Sequence, residues 1–365
     1  MTASINRHKL DSTAAEVLKK LLATVPFIDE VTLSHDTQGY GFDIHAVVRI
    51  GNKNHNLIIQ ASSVGQPLKT RNAIAIWQAW ARQKDLKDCY FVFAAPYMSE
   101  ASRNLCREAG IGFFDLTGNC YLCFGHVFIE RFGFKHDAEK RELRSIFELK
   151  ASRILRRLLS NPSRHWTVQE LAKESQVSNG LVSQVKTKLL QSEVAWAQRD
   201  TFALRDPERL LKQWSDAYRF KKHKLVQFYS PKSLDETDPL IVNYCKKKDI
   251  EYALTLNSAV RLTGVQHVRL ITRSDAFVTC DPLEIGQALG FKPVESGGNI
   301  VLINPVDEDL FFNKRIVESA SVVSDIQLYL DFAAQSGRVK ETAEFLLDAR
   351  ILRTWKEQLD ATESK

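Results

Sequence analysis

The stretch from residue 167 to 206 constrains the fold more than any other part of the chain. It reads TVQELAKESQVSNGLVSQVKTKLLQSEVAWAQRDTFALRD. Thr167 and Glu170 have the spacing of a capping box at a helix start, and Ser178 can cap a second amphipathic helix after the SQVSN break. An alternating run with Arg199 at its turn follows and indicates a two-stranded hairpin. Two short helices and a hairpin in this order predict a winged helix-turn-helix.

The second of these helices separates into an apolar face and a polar face. Its predicted buried stripe is Leu181, Val182, Val185 and Leu189, so the outer face carries Asn179, Ser183, Gln184, Lys186 and Lys188. Asn and Gln can pair with adenine edges, Ser with several bases, and Lys with phosphate or guanine. No acid occurs from 179 to 192. The predicted DNA-binding residues are therefore Arg164, Thr167, Ser178, Asn179, Ser183, Gln184, Lys186, Lys188 and Arg199.

The distribution of charge supports the same interpretation. The whole chain has a net charge of +6, yet residues 140 to 224 contain 19 Lys or Arg against 9 Asp or Glu, a local net of +10. The remainder is therefore at −4. Basic charge concentrated in one segment of an otherwise acidic protein is typical of a nucleic-acid-binding module.

Composition excludes several classes of protein. Hydrophobic residues make up 44% and charged residues 26%, and no apolar run approaches the ~18 to 20 residues of a membrane span. The N-terminal sequence lacks an apolar core followed by a cleavage site. The six cysteines are scattered as in a reduced cytosolic protein, and Cys120 and Cys123 should face opposite sides of a strand. We expect a cytoplasmic protein with no membrane association, metal or cofactor.

The 365 residues are too many for one ordinary core and predict three domains. We expect an α/β (α+β) multidomain protein: an N-terminal α/β domain over 1–138, the winged helix over 139–222, and a C-terminal α/β domain over 223–365. The sequence also predicts a helix from about Ser12, a charged junction over 136–144, a strand over 267–273 and a long helical C-terminal part.

The N-terminal domain has the outline of a restriction-endonuclease-like fold. The strands FDIHAVV and NLIIQAS lie where the PD-(D/E)XK nuclease core has an Asp and then a Glu-x-Lys. Asp43 could be the first acid, but Gln60, Ala61 and Ser62 stand at the second position. An amide is a poor Mg²⁺ ligand, and nothing replaces the lysine. We therefore expect a catalytically inactive domain and a protein that is not an enzyme.

Three stretches together resemble AbiEi-like proteins, which are transcriptional regulators and antitoxins of bacterial type IV toxin–antitoxin systems. These stretches are YFVFAAPYMSEASRNLCREAGIGFFDLTGNCYL, the segment beginning RILRRLL, and VVSDIQLYLDFAAQSGRVKETAEFLL. The resemblance extends over about residues 45 to 350. It implies an autorepressor that binds operator DNA and counters a nucleotidyltransferase-like toxin without a stable complex. This chain differs from the better-studied antitoxins of the family, which begin with the winged helix, because an additional N-terminal domain precedes the winged helix here.

Three hypotheses of function follow. The first is a sequence-specific DNA-binding regulator, an antitoxin, whose double-stranded operator could be an inverted repeat bound by a homodimer. The second is a DNA-targeted, metal-dependent nuclease. The third is a winged-helix scaffold for protein contacts, whose affinity for DNA would be independent of salt or absent, because neutralisation of phosphates makes real DNA binding fall steeply with salt.

Overall fold

The computed structural model describes residues 7–35, 42–82, 88–134, 146–264 and 273–363. The chain divides into two compact units, residues 1–143 with 188–193, and residues 144–187 with 194–365. Each unit combines helices with β-strands, so the predicted mixed α/β class is confirmed. The three-domain boundaries stay predictions. No helix in the described ranges is long and apolar enough to cross a membrane.

The first unit is built around one sheet. Its elements are α1 (Arg7–Leu22), β1 (Glu30–His35), β2 (Ile44–Ile50), β3 (Lys53–Ala61), α2 (Pro67–Trp80), β4 (Cys89–Ala95), α3 (Glu100–Glu108), β5 (Gly112–Asp115), β6 (Cys120–Phe124) and β7 (Val127–Arg131). In the described residues these strands form a seven-stranded sheet in sequence order. The β3–β4 and β4–β5 pairs are parallel and the others antiparallel. The parallel pairs follow from the helices α2 and α3, which return the chain to the same edge.

Apolar residues cover both faces of this sheet. On one face, alternate residues of β2, such as Ile44 and Val48, belong to one buried cluster with Leu18 of α1. On the other face, Trp77 of α2 is in a second cluster with Phe93 of β4. The period of two along β2 and the helical spacing in α2 place these apolar residues on the buried face of each element.

The turn after β5 is held by one carboxylate. Asp115 is fully buried, and its two oxygens accept hydrogen bonds from the backbone N–H groups of Met98, Thr117, Gly118 and Asn119 and from the side chains of Thr117 and Asn119. Gly118 in this turn has a positive φ of +115°. This motif, which contributes to the family resemblance, is therefore explained by the folding of the turn.

The second unit begins with helices and a hairpin and continues as a second α/β half. Its elements are α4 (Leu149–Ser160), α5 (Val168–Ser175), α6 (Asn179–Gln191), β8 (Ala195–Gln198), β9 (Thr201–Leu204), α7 (Pro207–Ala217), β10 (Lys224–Tyr229), α8 (Leu234–Lys247), β11 (Tyr252–Leu254), α9 (Leu256–Thr263), β12 (Ser274–Val278), α10 (Pro282–Ala288), β13 (Lys292–Val294), β14 (Ile300–Asn304), β15 (Arg315–Val317), β16 (Ala320–Val322), α11 (Asp325–Ala333), α12 (Glu341–Leu346) and α13 (Leu352–Glu363). The last residues of α6 are grouped with the first unit.

The strands after β9 form a second sheet with a non-sequential order. In the described ranges the order is β13-β10-β14-β12-β11-β16-β15. The pairs β12–β14 and β11–β16 are parallel, and the remaining pairs are antiparallel. The helix α11 is buried along most of its length, including Gln327 and Asp331.

Some sequence predictions differ from the structure in detail. The first helix begins at Arg7 rather than Ser12. The predicted C-terminal helical part is divided between α11, α12 and α13, with a π-helical turn at Leu347–Ile351 before α13. Cys120 is buried and Cys123 exposed, as opposite faces of β6 require. The predicted junction over 136–144 lies outside the described residues, as does the predicted strand over 267–273 except for residue 273.

Candidate nucleic-acid interface

The helix α5 begins with the capping box that the sequence predicts. Thr167 Oγ1 accepts from the N–H of Glu170 at 3.2 Å, and Glu170 Oε2 accepts from the N–H of Thr167 at 3.0 Å. Two of the unpaired N–H groups at the helix start are thus satisfied. The same contacts hold the pKa of the exposed Glu170 carboxyl below its usual value. At the other end Gln176 adopts a left-handed conformation with φ 54°, which turns the chain toward α6.

The helix α6 presents the predicted polar face to solvent. Ser178 precedes it, and the Ser178 Oγ accepts from the N–H of Leu181 at 3.3 Å. Asn179, Ser183 and Gln184 are exposed. These three side chains therefore lie on one accessible face at helical spacing.

Two lysines and one leucine of α6 differ in burial from the prediction of one buried and one exposed face. Val182, Val185 and Leu189 are buried, whereas Leu181 is half-buried. Lys186 and Lys188 are half-buried rather than fully exposed, and Lys186 Nζ lies 5.3 Å from the centre of the Phe202 ring. A long lysine stem can cover apolar surface while its ammonium group stays accessible.

The hairpin formed by β8 and β9 follows α6 directly. Ala195 pairs with Leu204 and Gln198 with Thr201 in antiparallel register. Arg199 occupies the tip, is exposed, and has a left-handed φ of 52°. The sequence prediction of a hairpin with an arginine at its turn is confirmed.

The segment before α5 pairs with this hairpin through one isolated antiparallel bridge. Trp166 and Phe202 exchange two backbone hydrogen bonds of 2.8 and 2.9 Å, and both side chains are buried. This pairing fixes the hairpin relative to the start of α5. Arg164, two residues earlier, stacks 3.6 Å above the Trp166 ring and forms an exposed ion pair with Glu174 at 2.7 Å. A phosphate bound by Arg164 would therefore compete with Glu174.

The basic excess of this region is partly neutralised inside the second unit. On α4, Arg153 donates two hydrogen bonds to Asp307, at 2.9 and 2.8 Å. Arg157 of the same helix forms an ion pair with Asp309, and both side chains are 8% exposed. These arginines fix α4 to the segment after β14, so the local charge of +10 overstates the positive charge that is available to a polyanion.

The residues of the nuclease-like outline come together at the end of β3. The Asp43 N–H donates to the Ile59 carbonyl at 3.1 Å, and Asp43 Oδ2 accepts from the N–H of Ala61 at 2.8 Å. Gln60 Oε1 is buried and has no hydrogen-bond partner in the described part of the chain. Ser62 forms a local turn with Val64. Asp43 thus lies beside 60–62, and its carboxylate supports the backbone of β3.

Sequence reasoning missed the buried polar residues of the second unit. Arg156, Tyr218, His223, Gln327 and Asp331 are joined by hydrogen bonds. One signal was available, because Gln327 and Asp331 have the i, i+4 spacing of one helical face within the otherwise apolar run DIQLYLDFA. A second signal was the arginine pair at 156 and 157 inside the apolar stripe of α4.

Comparisons with known proteins do not identify a family for this chain. No family model matches the chain, and no curated protein matches it. A search of the solved structures matches the one titled "Structure of EndoMS in apo form", at 12% sequence identity and a TM-score of 0.20. The match covers 28% of this chain and 45% of that chain.

Proposed function

We propose that the protein is a sequence-specific DNA-binding transcriptional regulator. Its DNA-binding part would be a winged helix-turn-helix made of α4, α5, α6 and the β8–β9 hairpin. In such a motif the second helix of the helix-turn-helix pair enters the major groove and the hairpin contacts the adjacent backbone or minor groove. Here those elements are α6 and the hairpin with Arg199 at its tip.

The observation that carries the proposal is the exposed face of α6. Asn179, Ser183 and Gln184 are solvent-accessible hydrogen-bonding groups, and no acid occurs from 179 to 192 to repel phosphate. Amide side chains on a groove-bound helix can form paired hydrogen bonds with adenine. A helix used only for protein contacts would more often place aromatic or other apolar groups on its accessible face.

The surrounding contacts supply the positioning that base recognition needs. The capping box fixes the start of α5, the Trp166–Phe202 pairing fixes the hairpin, and the Arg153–Asp307 pair holds α4. Backbone contacts position a protein on DNA, whereas base contacts provide its specificity. Arg199, Lys186, Lys188 and Arg164 are the candidates for backbone contacts in this proposal, together with Thr167 and Ser178 at the helix starts.

The resemblance to AbiEi-like proteins extends the proposal to an autorepressing antitoxin. In that case the protein acts in the cytoplasm, binds its own operator, for example as a homodimer on an inverted repeat, and counters a nucleotidyltransferase-like toxin. Co-expression with the product of a neighbouring gene of that class tests this extension. Restored growth supports it, and unrelieved toxicity restricts the protein to regulation.

Binding to the DNA upstream of its own gene tests the regulator proposal. The purified chain is titrated with that duplex and with a scrambled duplex at two salt concentrations. We expect preference for the upstream duplex and an affinity that falls steeply with salt, because bound cations are released when phosphates are neutralised. Equal affinity for both duplexes contradicts sequence specificity, and absence of binding leaves a protein-docking role for this segment.

The nuclease alternative has its own test. Asp43 and Gln60 stand at the two positions where the nuclease core has its acids, and Ser62 stands where that core has its lysine. We expect no Mg²⁺-dependent cleavage by the purified chain. Cleavage that is abolished by Asp43→Ala would make the protein an enzyme.

A further inference from the structure

A small pocket opens in the second unit between α4, α7 and the segment around Asp307. Its cavity volume is about 50 Å³, several times the ~10–15 Å³ that one water molecule requires. The lining residues relevant here are Ser152, Arg156, Trp214, Tyr218, Lys222 and His223. The space therefore suits a ligand group of a few heavy atoms that is approached by a guanidinium group, an ammonium group and an indole ring.

Arg156 is a buried cation whose hydrogen-bond acceptors among the described residues are neutral, and the Asp309 carboxylate near it is shared with Arg157. Its residue is 7% exposed. Nη1 donates to Ser152 Oγ at 3.0 Å and Nη2 donates to Gln327 Oε1 at 2.8 Å, and both acceptors are neutral. A carboxylate oxygen of Asp309 is 3.8 Å away. Arg156 Nε is buried with no hydrogen-bond partner in the described ranges. A buried charge normally needs closer compensation than this.

The acids near the pocket are already engaged by other arginines. Asp307 lines the pocket, but Arg153 donates to both of its carboxylate oxygens. Asp309 does not contribute its charge to the pocket alone, because its carboxylate pairs closely with Arg157 and only at 3.8 Å with Arg156. Lys222, which is exposed, adds positive charge on the solvent side. The described side chains around the pocket thus leave an excess of positive charge.

Hydrogen bonds behind the pocket fix the direction of Arg156. The Gln327 amide donates to Tyr218 Oη at 2.9 Å and to Asp331 Oδ1 at 2.8 Å, so its carbonyl oxygen must face Arg156. Tyr218 in turn donates to Asp331 Oδ1 at 2.8 Å. Binding groups whose orientation is fixed in advance lose less entropy when a ligand arrives.

His223 also lines the pocket, and it is a neutral group. Its Nδ1 accepts from the N–H of Val306 at 3.3 Å, so the proton lies on Nε2, which is 3.0 Å from Tyr218 Oη. Burial, followed by the charge of Arg156, lowers the pKa of His223 to about 4. At neutral pH the positive charge of the pocket therefore comes from arginine and lysine.

We propose that this pocket binds a small anion, a carboxylate or a phosphate group, between Arg156 on its buried side and Lys222 on its solvent side. The guanidinium group suits both anions because its N–H groups match their oxygen atoms. A bound anion would connect α4 to the loop after α7 through Arg156 and Lys222. This inference goes beyond DNA binding and does not depend on it.

Thermal unfolding of the full chain tests this site without DNA. Inorganic phosphate or acetate replaces chloride at constant ionic strength, and the rise of Tm is followed as a function of anion concentration. We expect a saturable rise with at least one of the two anions, because a ligand that binds only the folded state stabilises it. The anion that acts identifies the chemical class of the ligand.

Two neighbouring lysines provide a matched pair of variants. Lys222 lines the pocket, whereas the adjacent and also exposed Lys221 does not. We expect Lys222→Gln to weaken the apparent anion affinity about 3- to 10-fold, and Lys221→Gln to leave it unchanged. Arg156→Gln should abolish the saturable response. If Arg156→Gln does not fold, the comparison of Lys222→Gln with Lys221→Gln tests the site by itself.

Two outcomes overturn the inference. One is a Tm that shows no saturable response to either anion in the wild-type chain. The other is an equal response in Lys222→Gln and Lys221→Gln, which would place the anion elsewhere on the surface.

Discussion

At the scale of single residues, the most unusual group is the carboxyl of Asp331. It is fully buried on α11 and accepts hydrogen bonds from Tyr218, Gln327 and Thr255. Burial raises its pKa to about 7 although these three donors favour the charged form. Between about pH 4, the usual value for Asp, and pH 7, the folded chain therefore holds a proton that the unfolded chain has lost.

Asp331→Asn should change how stability depends on pH. The contribution of Asp331 is present below about pH 4 and is lost as pH rises through about 7, on the order of 4 kcal/mol in total. The asparagine variant lacks this loss, so it should gain stability relative to wild type across that window. Urea unfolding between about pH 4.5 and 7.5 measures the difference. A difference that does not vary with pH would contradict the raised pKa.

His223→Phe is the control of opposite sign. Because the folded pKa of His223 is lowered to about 4, its contribution is present above the usual value of ~6.5 and is lost as pH falls. The variant should therefore gain relative to wild type as pH decreases from ~6.5 to about 4. The two buried groups act against each other in the wild-type chain, which would conceal either effect alone.

At the scale of elements, α4 is held by ion pairs whose partners lie far away in the sequence. Spacing along the sequence predicted the capping box of α5 and the hairpin, because both depend on neighbours within a few residues. The partner of Arg157, by contrast, is 152 positions away at Asp309. No local pattern identifies such a pair, nor the strand order of the second sheet, since both depend on which segments meet after folding.

Asp309→Ala should destabilise the second unit by about 3–5 kcal/mol, because it leaves the buried Arg157 without its counter-charge. Glu208→Ala is the matched control. It removes an exposed ion pair with Lys212, which should cost less than ~1 kcal/mol. Urea unfolding measures both variants. Replacing both partners with apolar residues, as in Arg157→Met with Asp309→Leu, should recover most of the lost stability. Equal small losses in Asp309→Ala and Glu208→Ala would mean that the buried ion pair does not contribute to stability.

Thr167→Ala should cost about 1 kcal/mol of stability, since it removes the side-chain acceptor of the capping box at α5. Thr167→Ser keeps the hydroxyl and should retain most of that stability. Chemical unfolding of the two variants side by side checks the prediction. A loss of the same size in the serine variant would assign the effect to the methyl group of Thr167 rather than to the cap.

At the scale of the whole molecule, different parts of the chain have different proposed roles. We propose that the exposed surface of α6 and the β8–β9 hairpin bind DNA, while buried ion pairs connect α4 to the C-terminal α/β half. The exposure of Asn179, Ser183 and Gln184 on α6 could be predicted from sequence because it follows from helix geometry. The pocket beside Arg156 could not, since it is assembled from α4, α7 and the segment around Asp307.

Arg199→Ala should weaken binding to specific and non-specific DNA alike. It should also reduce the slope of log affinity against log salt by about 1, as expected when one phosphate contact is lost. Arg353→Ala is the control, because Arg353 is an exposed arginine of α13 and pairs with Glu357. Fluorescence anisotropy at several salt concentrations measures the slopes. An unchanged slope for Arg199→Ala would remove the hairpin tip from the interface.

The most direct test of the central claim is the base preference of the wild-type chain and of Gln184→Ala, selected from a pool of randomised duplexes. Gln287→Ala, which changes an exposed glutamine of α10, is the control. We expect wild type and control to select one sequence, and Gln184→Ala to relax preference at one or two base pairs by ~1–3 kcal/mol while its non-specific affinity is retained. The same base preference in all three proteins would contradict the placement of α6 in the major groove.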